Sequence, residues 1–398
     1  MKLWLVALLI LLATSAEATE LGQLAATMPL RSWAVLNAAG AGRVSQLYTR
    51  NPEFDDAQAG WDSRTRRLFL AVSEHSTAGG GVCPQSCPKP LAQFDDDTNS
   101  WTVNVTPQPA PVTPGHVYND VAWDDVNEVF YWQMPHTEST GQLIVLRYCV
   151  NNSPSWCAGK QGVWSQLPVV TPFSTCCQDA NGLTYHATMD GGSLLFWNGD
   201  AYGSTHGGLI QFREATQTWT ILAGSAHEFT NGDFQGTLHY SPVKRVSIFG
   251  GGNGNISCGA GSGCRKLWKI TDAKTITALA DAPVDIALGS TNRSITPDPV
   301  TGNFLLIYGN GSTAQLWELN PDGNGTWTLI DGDLTQAGKI CNVRFSPPCS
   351  ADFYGVPVST YGVILFWKFT GPSTAETWIY KHAARGPAPI APLNVQLR

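Results

Sequence analysis

The stretch VAWDDVNEVFYWQM, residues 121–134, joins a short apolar segment to a second, more hydrophobic segment through a polar turn. Two apolar segments on either side of such a turn indicate a β-hairpin. The pattern occurs six times along the chain, and each turn is rich in Asp, Gly, Pro or Ser. The other copies are AGWDSRTRRLFLAV (59–72), YHATMDGGSLLFWNG (185–199), TLHYSPVKRVSIFGG (237–251), SITPDPVTGNFLLIYG (294–309) and YGVPVSTYGVILFWK (354–368).

A further strand-like segment follows five of these hairpins, and it begins near an aromatic or β-branched residue. These segments start around Trp101, Trp164, Trp219, Ile276 and Trp327. The resulting period is roughly 50 to 65 residues, which is typical of a long β-repeat. A repeat of this kind cannot bury both of its faces alone, so the copies are expected to stack radially into a closed ring. The centre of such a ring is where ligands commonly bind.

The sixth copy lacks its outer strand, because the chain becomes Pro-rich after residue 384. The segment RSWAVL, residues 31–36, resembles the outer strands and precedes the first hairpin. We therefore predict six blades, with the N-terminal strand completing the sixth blade and removing an open sheet edge. A seventh blade built from both termini is the alternative.

Two features resemble the kelch/galactose-oxidase-like propeller superfamily. A glycine run, Gly250-Gly251-Gly252, follows the strand residues Ser247-Ile248-Phe249, and tryptophans head several outer strands, at Trp101, Trp219 and Trp327. The resemblance implies an all-β fold, a six-bladed kelch-like β-propeller. Galactose oxidase carries additional β domains that this chain lacks, so its copper-radical chemistry is not carried over, and a fold alone does not determine function.

The N-terminal sequence predicts a secretory signal peptide. Lys2 precedes an apolar run over residues 3–13, and Ala16-Glu17-Ala18 forms a small-residue cleavage site. We expect a signal peptide over 1–18, one propeller domain over 19–384 and a Pro-rich tail over 385–398, with an uncleaved anchor as the alternative. The product is then extracellular, or periplasmic in a bacterium, and its six N-x-S/T sites predict glycans in a eukaryotic secretory pathway.

An exported chain with 10 cysteines is expected to form disulfides. Close spacing predicts four pairs, and zinc ligation is an alternative for the first of them. The pairs are Cys83–Cys87, Cys149–Cys157, Cys258–Cys264 and Cys341–Cys349.

The remaining cysteines, Cys176 and Cys177, are adjacent. Consecutive Cα atoms lie about 3.8 Å apart, which is closer than the usual disulfide range of about 4.4–6.8 Å. A bridge between them would form a rigid apolar plate suited to a ligand face. Pairing of each cysteine with another loop is the alternative.

The net charge is −7, and the basic residues are scattered. Nucleic-acid binding requires a concentrated basic surface, so it is not expected. No apolar stretch after the signal reaches the length of a membrane span. We expect a monomer without a cofactor, and a structural calcium ion remains an alternative.

In each blade, whose strands are named a to d from the inside outward, the d–a and b–c loops emerge on one face. This face collects polar and reactive residues, and loops carry function more often than strands do. The ligand-binding candidates there are His75, Cys176, Cys177, His206, His227 and Asp233.

Five further residues of this face suggest a reaction. Arg293 and Arg344 can hold a carboxylate through paired hydrogen bonds, while His116, His136 and Tyr202 can remove and donate protons near neutral pH. This set resembles that of propeller-type polysaccharide lyases, which implies β-elimination on uronic-acid glycans. The alternative function is a non-catalytic glycan- or protein-binding module.

Overall fold

The computed structural model describes most of the chain in fourteen ranges. They are residues 19–45, 57–72, 91–103, 121–134, 144–152, 154–169, 182–198, 208–223, 236–252, 263–286, 293–309, 314–341, 353–371 and 373–385.

These residues form six four-stranded antiparallel sheets, the blades of a β-propeller. The strands of the first three blades, preceded by the N-terminal strand, are β1 (Ser32–Leu36), β2 (Ala57–Asp62), β3 (Arg67–Val72), β4 (Leu91–Asp95), β5 (Ser100–Thr102), β6 (Val121–Asp124), β7 (Val129–Met134), β8 (Ile144–Cys149), β9 (Trp164–Gln166), β10 (Gly182–His186), β11 (Ser193–Asn198), β12 (Gly208–Arg213) and β13 (Thr218–Ala223). The strands of the last three blades are β14 (Thr237–Ser241), β15 (Val246–Gly250), β16 (Leu267–Thr271), β17 (Ile276–Ala278), β18 (Arg293–Pro297), β19 (Phe304–Gly309), β20 (Ala314–Asn320), β21 (Thr326–Asp331), β22 (Phe353–Val358), β23 (Val363–Gly371) and β24 (Thr374–Lys381).

The ring closes through the N-terminal strand, as predicted. β1 is the outer strand of blade 6 and pairs antiparallel with β24, with Trp33 opposite Tyr380. The two rings lie 4.5 Å apart, and Trp33 also contacts Phe366 at 5.4 Å between ring centroids. The six-blade prediction is confirmed, and the seven-blade alternative is wrong because β1 is the outer strand of the sixth sheet and the described strands form six sheets.

The second strand of each blade is the most hydrophobic because both of its faces are covered by neighbouring blades. Within β23, for example, Val363, Ile364 and Leu365 are all fully buried. Continuous apolar runs are typical of strands that are buried on both faces. The outer strands β13 and β21 are instead mostly exposed, which is why their sequences are richer in Thr.

The turns between the first and second strands of blades 1 and 2 share one hydrogen-bonded design. The Asp124 carboxylate accepts bonds from the backbone N–H groups of Val126 and Asn127, and the Asp62 carboxylate accepts the equivalent pair. An Asp side chain stabilises a turn by accepting hydrogen bonds from the backbone N–H groups of the residues that follow it. A residue at or next to the end of this turn adopts positive φ in all six blades, at Arg66, Glu128, Gly192, Arg245, Gly302 and Gly362.

Two short helices were not expected from the sequence. α1 (Glu20–Thr27) begins at the capping residue Thr19, whose Oγ1 accepts a bond from the Gly22 N–H, and it buries Leu21 and Ala25. α2 (Ala41–Ser45) follows β1. Thr19 is the predicted first residue of the mature chain. Three 3₁₀ turns complete the described elements, at Ser155–Cys157, Met189–Gly191 and Gly263–Arg265.

The predicted disulfide between Cys149 and Cys157 is present, with 5.8 Å between its Cα atoms. Cys264 and Cys341 are also disulfide-bonded. Their predicted partners, Cys258 and Cys349, lie outside the described residues, as do Cys83 and Cys87, so these pairings stay predictions. No helix in the described ranges is long and apolar enough to cross a membrane.

The closure predicts a specific sensitivity at Trp33. Trp33→Ala should lower the free energy of unfolding by about 2 kcal/mol, because it removes the ring that packs on Tyr380 and Phe366. Val35→Ala is the control on the same strand, since Val35 is 42% exposed; it should change stability by less than about 0.5 kcal/mol. Urea unfolding measures both, and equal losses would contradict closure through Trp33.

Candidate functional site

The central channel contains a cavity of about 320 Å³, which lies within the usual size range of small-molecule sites. All six inner strands contribute to its wall, and the cavity extends to the turns that follow them. Its described lining comprises Ala59, Gly60, Trp61, Val121, Ala122, Trp123, Asp125, Val126, Leu183, Thr184, Tyr185, Ala187, His239, Tyr240, Pro242, Ser294, Ile295, Thr296, Pro297, Asp298, Pro299, Tyr354, Gly355, Val356, Pro357 and Ser359.

In blades 1 to 4, one aromatic residue near the end of the inner strand borders this cavity and contacts the preceding blade. Trp61 Nε1 donates to Thr360 Oγ1 of blade 6 at 3.1 Å. The Tyr185 hydroxyl accepts a bond from Asn127 Nδ2 of blade 2 at 3.3 Å. The Tyr240 hydroxyl lies 3.0 Å from Thr188 Oγ1 of blade 3. The same residues therefore join successive blades and form the channel wall.

The fourth aromatic residue, Trp123, packs against blade 1 through a glycine. A Cβ atom on Gly60 would lie 2.3 Å from the Trp123 Cβ, so no larger residue fits there. The Trp123 ring stacks on Phe69, with 5.6 Å between centroids and 26° between planes. Trp123 nevertheless remains partly exposed, as do Tyr240 and Tyr354, so these rings are accessible for contact with a ligand.

The aromatic positions are replaced by Pro297 and Pro357 in blades 5 and 6. Proline is tolerated here because an inner strand is a sheet edge, where a missing N–H breaks no ladder bond. At this position of the inner strand the cavity wall is therefore asymmetric, with large rings on blades 1 to 4 and prolines on blades 5 and 6.

His239 is the only histidine among the described lining residues. Its Nε2 atom is buried and has no hydrogen-bond partner within the described part of the chain. Burial lowers the pKa of His239 to about 4, so the ring is neutral at physiological pH. The His239 ring therefore adds no positive charge to the cavity wall.

Asp124 is fully buried behind the wall and positions Tyr185 indirectly. Its carboxylate accepts a 2.6 Å bond from Asn127 Nδ2, and Asn127 also donates to the Tyr185 hydroxyl. Burial raises the pKa of Asp124 to about 6, although hydrogen bonds from Asn127 oppose the shift. Burial also raises the pKa of Tyr185, so Tyr185 stays a neutral phenol.

A serine, a histidine and an aspartate form a linear array between blades 3 and 4. His186 Nδ1 lies 2.9 Å from Ser247 Oγ, and His186 Nε2 lies 2.8 Å from Asp272 Oδ1. Ser247 and His186 are both completely buried, so no substrate reaches the hydroxyl. Burial also lowers the pKa of His186 despite the Asp272 hydrogen bond. The array therefore joins two blades rather than forming a nucleophilic site.

The structure does not test the sequence-predicted site residues. His75, His116, His136, Cys176, Cys177, Tyr202, His206, His227, Asp233 and Arg344 all lie outside the described residues. Arg293 begins β18, one residue before the lining residue Ser294, and its side chain is outside the described set. The lyase-like arrangement stays a prediction. So does a structural calcium site, although the described ranges contain no group of three or more metal-ligating residues.

The residues of the channel wall are not among those predicted from the sequence to form a site. The signal was present in the repeated phrase, because the residue before each turn is aromatic in four copies: Trp61, Trp123, Tyr185 and Tyr240. The side chains of a strand alternate between its two faces. An aromatic residue recurring at one register of the inner strand therefore predicts a ring of aromatic residues at one level of the channel.

The low pKa of His239 predicts a stability change with a definite sign. The unfolded state binds a proton near pH 6.5 and the folded state only near pH 4, so His239 lowers stability as the pH falls through this window. The effect on the free energy of unfolding is on the order of 3 kcal/mol, and water in the channel reduces it by screening the charge. Asp124 acts oppositely, because its raised pKa favours the folded state as pH falls from about 6 to 4.

His239→Gln should isolate the histidine contribution. Urea unfolding at pH 7.5 and 4.5 should show a smaller acid-induced loss of stability in the variant than in the natural protein. If both lose the same free energy, His239 is not the neutral buried group described above.

No protein-family model matches the chain, and neither does any curated protein. Solved structures are similar to the chain at low identity and with TM-scores below 0.5. A TolB from Acinetobacter baumannii is 12% identical over 83% of this chain, with a TM-score of 0.39, and the chain spans 64% of TolB, less than two thirds of its length. A copper-bound fungal alcohol oxidase of the AA5 family is 12% identical over 83% of this chain and 74% of its own, with a TM-score of 0.43. A protein of unknown function from Dyadobacter fermentans is 13% identical over 88% of this chain and 98% of its own, with a TM-score of 0.49. The chain is a six-bladed β-propeller, and these similarities concern that architecture only.

Proposed function

We propose that the protein is an exported carbohydrate-binding propeller that holds a neutral sugar in its central channel. The export signal, the disulfides and the predicted glycan sites support an extracellular or periplasmic location. The proposed binding site is the channel wall, and not the d–a and b–c loops that the sequence predicted.

The supporting observation is the chemistry of the cavity. Large rings at Trp123, Tyr240 and Tyr354 are partly exposed there, beside the hydroxyl-bearing residues Thr184 and Thr296. An apolar wall with a few placed polar groups is the usual composition of a small-molecule site. A sugar ring presents a complementary surface, since its C–H face is apolar and its edge carries hydroxyl groups.

The charges near the cavity favour a neutral ligand over a uronate. No lysine or arginine lies among the described lining residues. Asp298 is 1% exposed, and its Oδ2 atom accepts bonds from the Thr301 N–H and hydroxyl. Asp125 accepts bonds from the Ser63 N–H and hydroxyl. A carboxylate ligand would therefore meet the exposed Asp125, with Asp298 buried behind the wall, and no cation among the described lining residues.

The aromatic contact predicts a selective loss of affinity. Isothermal titration calorimetry with neutral oligosaccharides should detect binding, and Trp123→Leu should weaken it roughly 30-fold, about 2 kcal/mol, because a central aromatic anchor is removed. Trp219→Leu is the control: Trp219 is also partly buried, but it lies on the outer strand β13 and donates to the Pro168 carbonyl at 2.8 Å. The Trp219→Leu variant should bind the oligosaccharide with unchanged affinity. Thermal melting of both variants checks that they are folded.

Three results would contradict the proposal. The first is no binding of any neutral oligosaccharide, and the second is equal affinity in the Trp123→Leu and Trp219→Leu variants. The third is an absorbance increase from unsaturated products on acidic polysaccharides that His136→Ala abolishes, since this outcome supports the predicted lyase instead.

A further inference from the structure

The helix α1 packs where the last blade meets the first. Its buried residues Leu21 and Ala25 belong to one apolar cluster with residues of β1, β3 and β23. Lys381 Nζ, at the end of β24, donates to the Ala25 carbonyl oxygen at 2.7 Å. A Cβ on Gly22 would lie 3.0 Å from Tyr361 Cε1, in the turn between β22 and β23. α1 therefore contacts blade 6 near both of its ends.

The residue that caps this helix, Thr19, lies beside a buried carboxylate of blade 1. Thr19 Oγ1 is 3.0 Å from the Tyr361 hydroxyl, which donates to Asp96 Oδ2 at 2.6 Å. Asp96 directly follows β4 and is 1% exposed. Burial raises the pKa of Asp96, although hydrogen bonds from Tyr361 and Thr19 oppose the shift. This array connects the start of α1 with blades 6 and 1.

One oxygen of this carboxylate lacks a donor. Asp96 Oδ1 is buried and has no hydrogen-bond partner in the part of the chain that the structure describes. The Arg66 guanidinium is close enough to attract the Asp96 charge, but it pairs with Asp97. A buried carboxylate oxygen without a partner costs free energy, and a charged donor gives the strongest hydrogen bond to it.

The predicted removal of the signal peptide would create a charged donor beside Asp96. Cleavage after Ala16-Glu17-Ala18 leaves an α-ammonium group on Thr19. Bond lengths and staggered torsions keep the nitrogen of a threonine within roughly 4 Å of its own Oγ1. The ammonium group of Thr19 is thus held next to the two hydroxyls that already bond Asp96.

The position of this ammonium group also requires an anion. A positive charge at the start of a helix opposes the helix dipole, and a nearby carboxylate offsets that cost. Glu20 begins α1, but its carboxylate accepts a 2.6 Å bond from Asn99 Nδ2 and is exposed. Asp96 is the buried carboxylate at this end of α1 that has an oxygen without a partner.

We propose that the α-ammonium group of Thr19, released by removal of residues 1–18, forms an ion pair with Asp96. The pair fixes the start of α1 to blade 1 while α1 itself is packed on blade 6, so processing of the chain strengthens the closure of the ring. This inference rests on the predicted cleavage site and does not depend on the proposed sugar site.

A comparison of two chain starts tests the pair. One protein begins at Thr19, and the other begins at Ala18, which turns the Thr19 nitrogen into an amide and moves the ammonium group by about 3.8 Å. Asp96→Asn should raise the unfolding equilibrium constant at least tenfold in the protein that begins at Thr19, because it leaves a charge without its partner. In the protein that begins at Ala18 the same change should have less than a threefold effect. Urea unfolding at pH 7 measures all four proteins.

Asp97→Asn is the matched control, since Asp97 is adjacent in the chain but pairs with Arg66. It should change the unfolding equilibrium constant equally in the two proteins. Circular dichroism of each variant checks that it is folded.

The pH dependence of stability tests the pair without a substitution. An α-amino group ordinarily has a pKa of about 7.7–8.0, and pairing with Asp96 raises this pKa in the folded state. Its contribution is therefore complete below about pH 7.7 and is lost as the pH rises through the raised pKa. Between pH 7 and 10, the protein that begins at Thr19 should lose at least tenfold more of its folding equilibrium constant. The neighbouring ionisable groups of Glu20, Arg66, Asp96, Asp97 and Tyr361 are present in both proteins, so their titration cancels in the comparison.

Three results would overturn the proposal. They are an equal effect of Asp96→Asn in the two proteins, an equal pH dependence, and an exported protein whose first residue, determined by mass spectrometry, is not Thr19.

Discussion

The propeller depends on the contact that an aromatic residue of the inner strand makes with the preceding blade in blades 1 to 4. Trp61, Tyr185 and Tyr240 make this contact through hydrogen bonds to Thr360, Asn127 and Thr188, and Trp123 makes it by packing over Gly60. A blade cannot bury its faces alone, so it needs such contacts to fix the position of its neighbour. Further out, a buried ion pair between Arg147 and Glu214, at 2.7 Å, joins blades 2 and 3.

These contacts also determine what the channel can bind. The rings that join the blades are the rings that line the cavity, so they are held in place before a ligand arrives. Rigid side chains lose little entropy on binding, and this preorganisation favours affinity. The buried Asp124 extends the same design, because it holds Asn127 and thereby Tyr185. The candidate site is therefore a consequence of the way the ring is assembled.

Much of the fold was predictable from local chemistry. Hairpins with Asp-containing turns repeat at regular spacing, and the missing sixth outer strand indicated that residues 31–36 close the ring. The helix α1 was missed because eight residues give too little periodicity to identify. The site was harder to predict, since polar loop residues are conspicuous in a sequence whereas the channel wall uses ordinary Trp, Tyr and Thr. The low pKa of His239 arises from burial in the folded ring, which no local sequence pattern encodes.

The central claim is that the ligand lies in the channel, against residues that also join the blades. A crystal structure of the protein with a bound neutral oligosaccharide tests it most directly. The account predicts density for a sugar ring within about 4 Å of Trp123 and Tyr240, inside the cavity. Density on the opposite face among the d–a and b–c loops, with none in the channel, would contradict it.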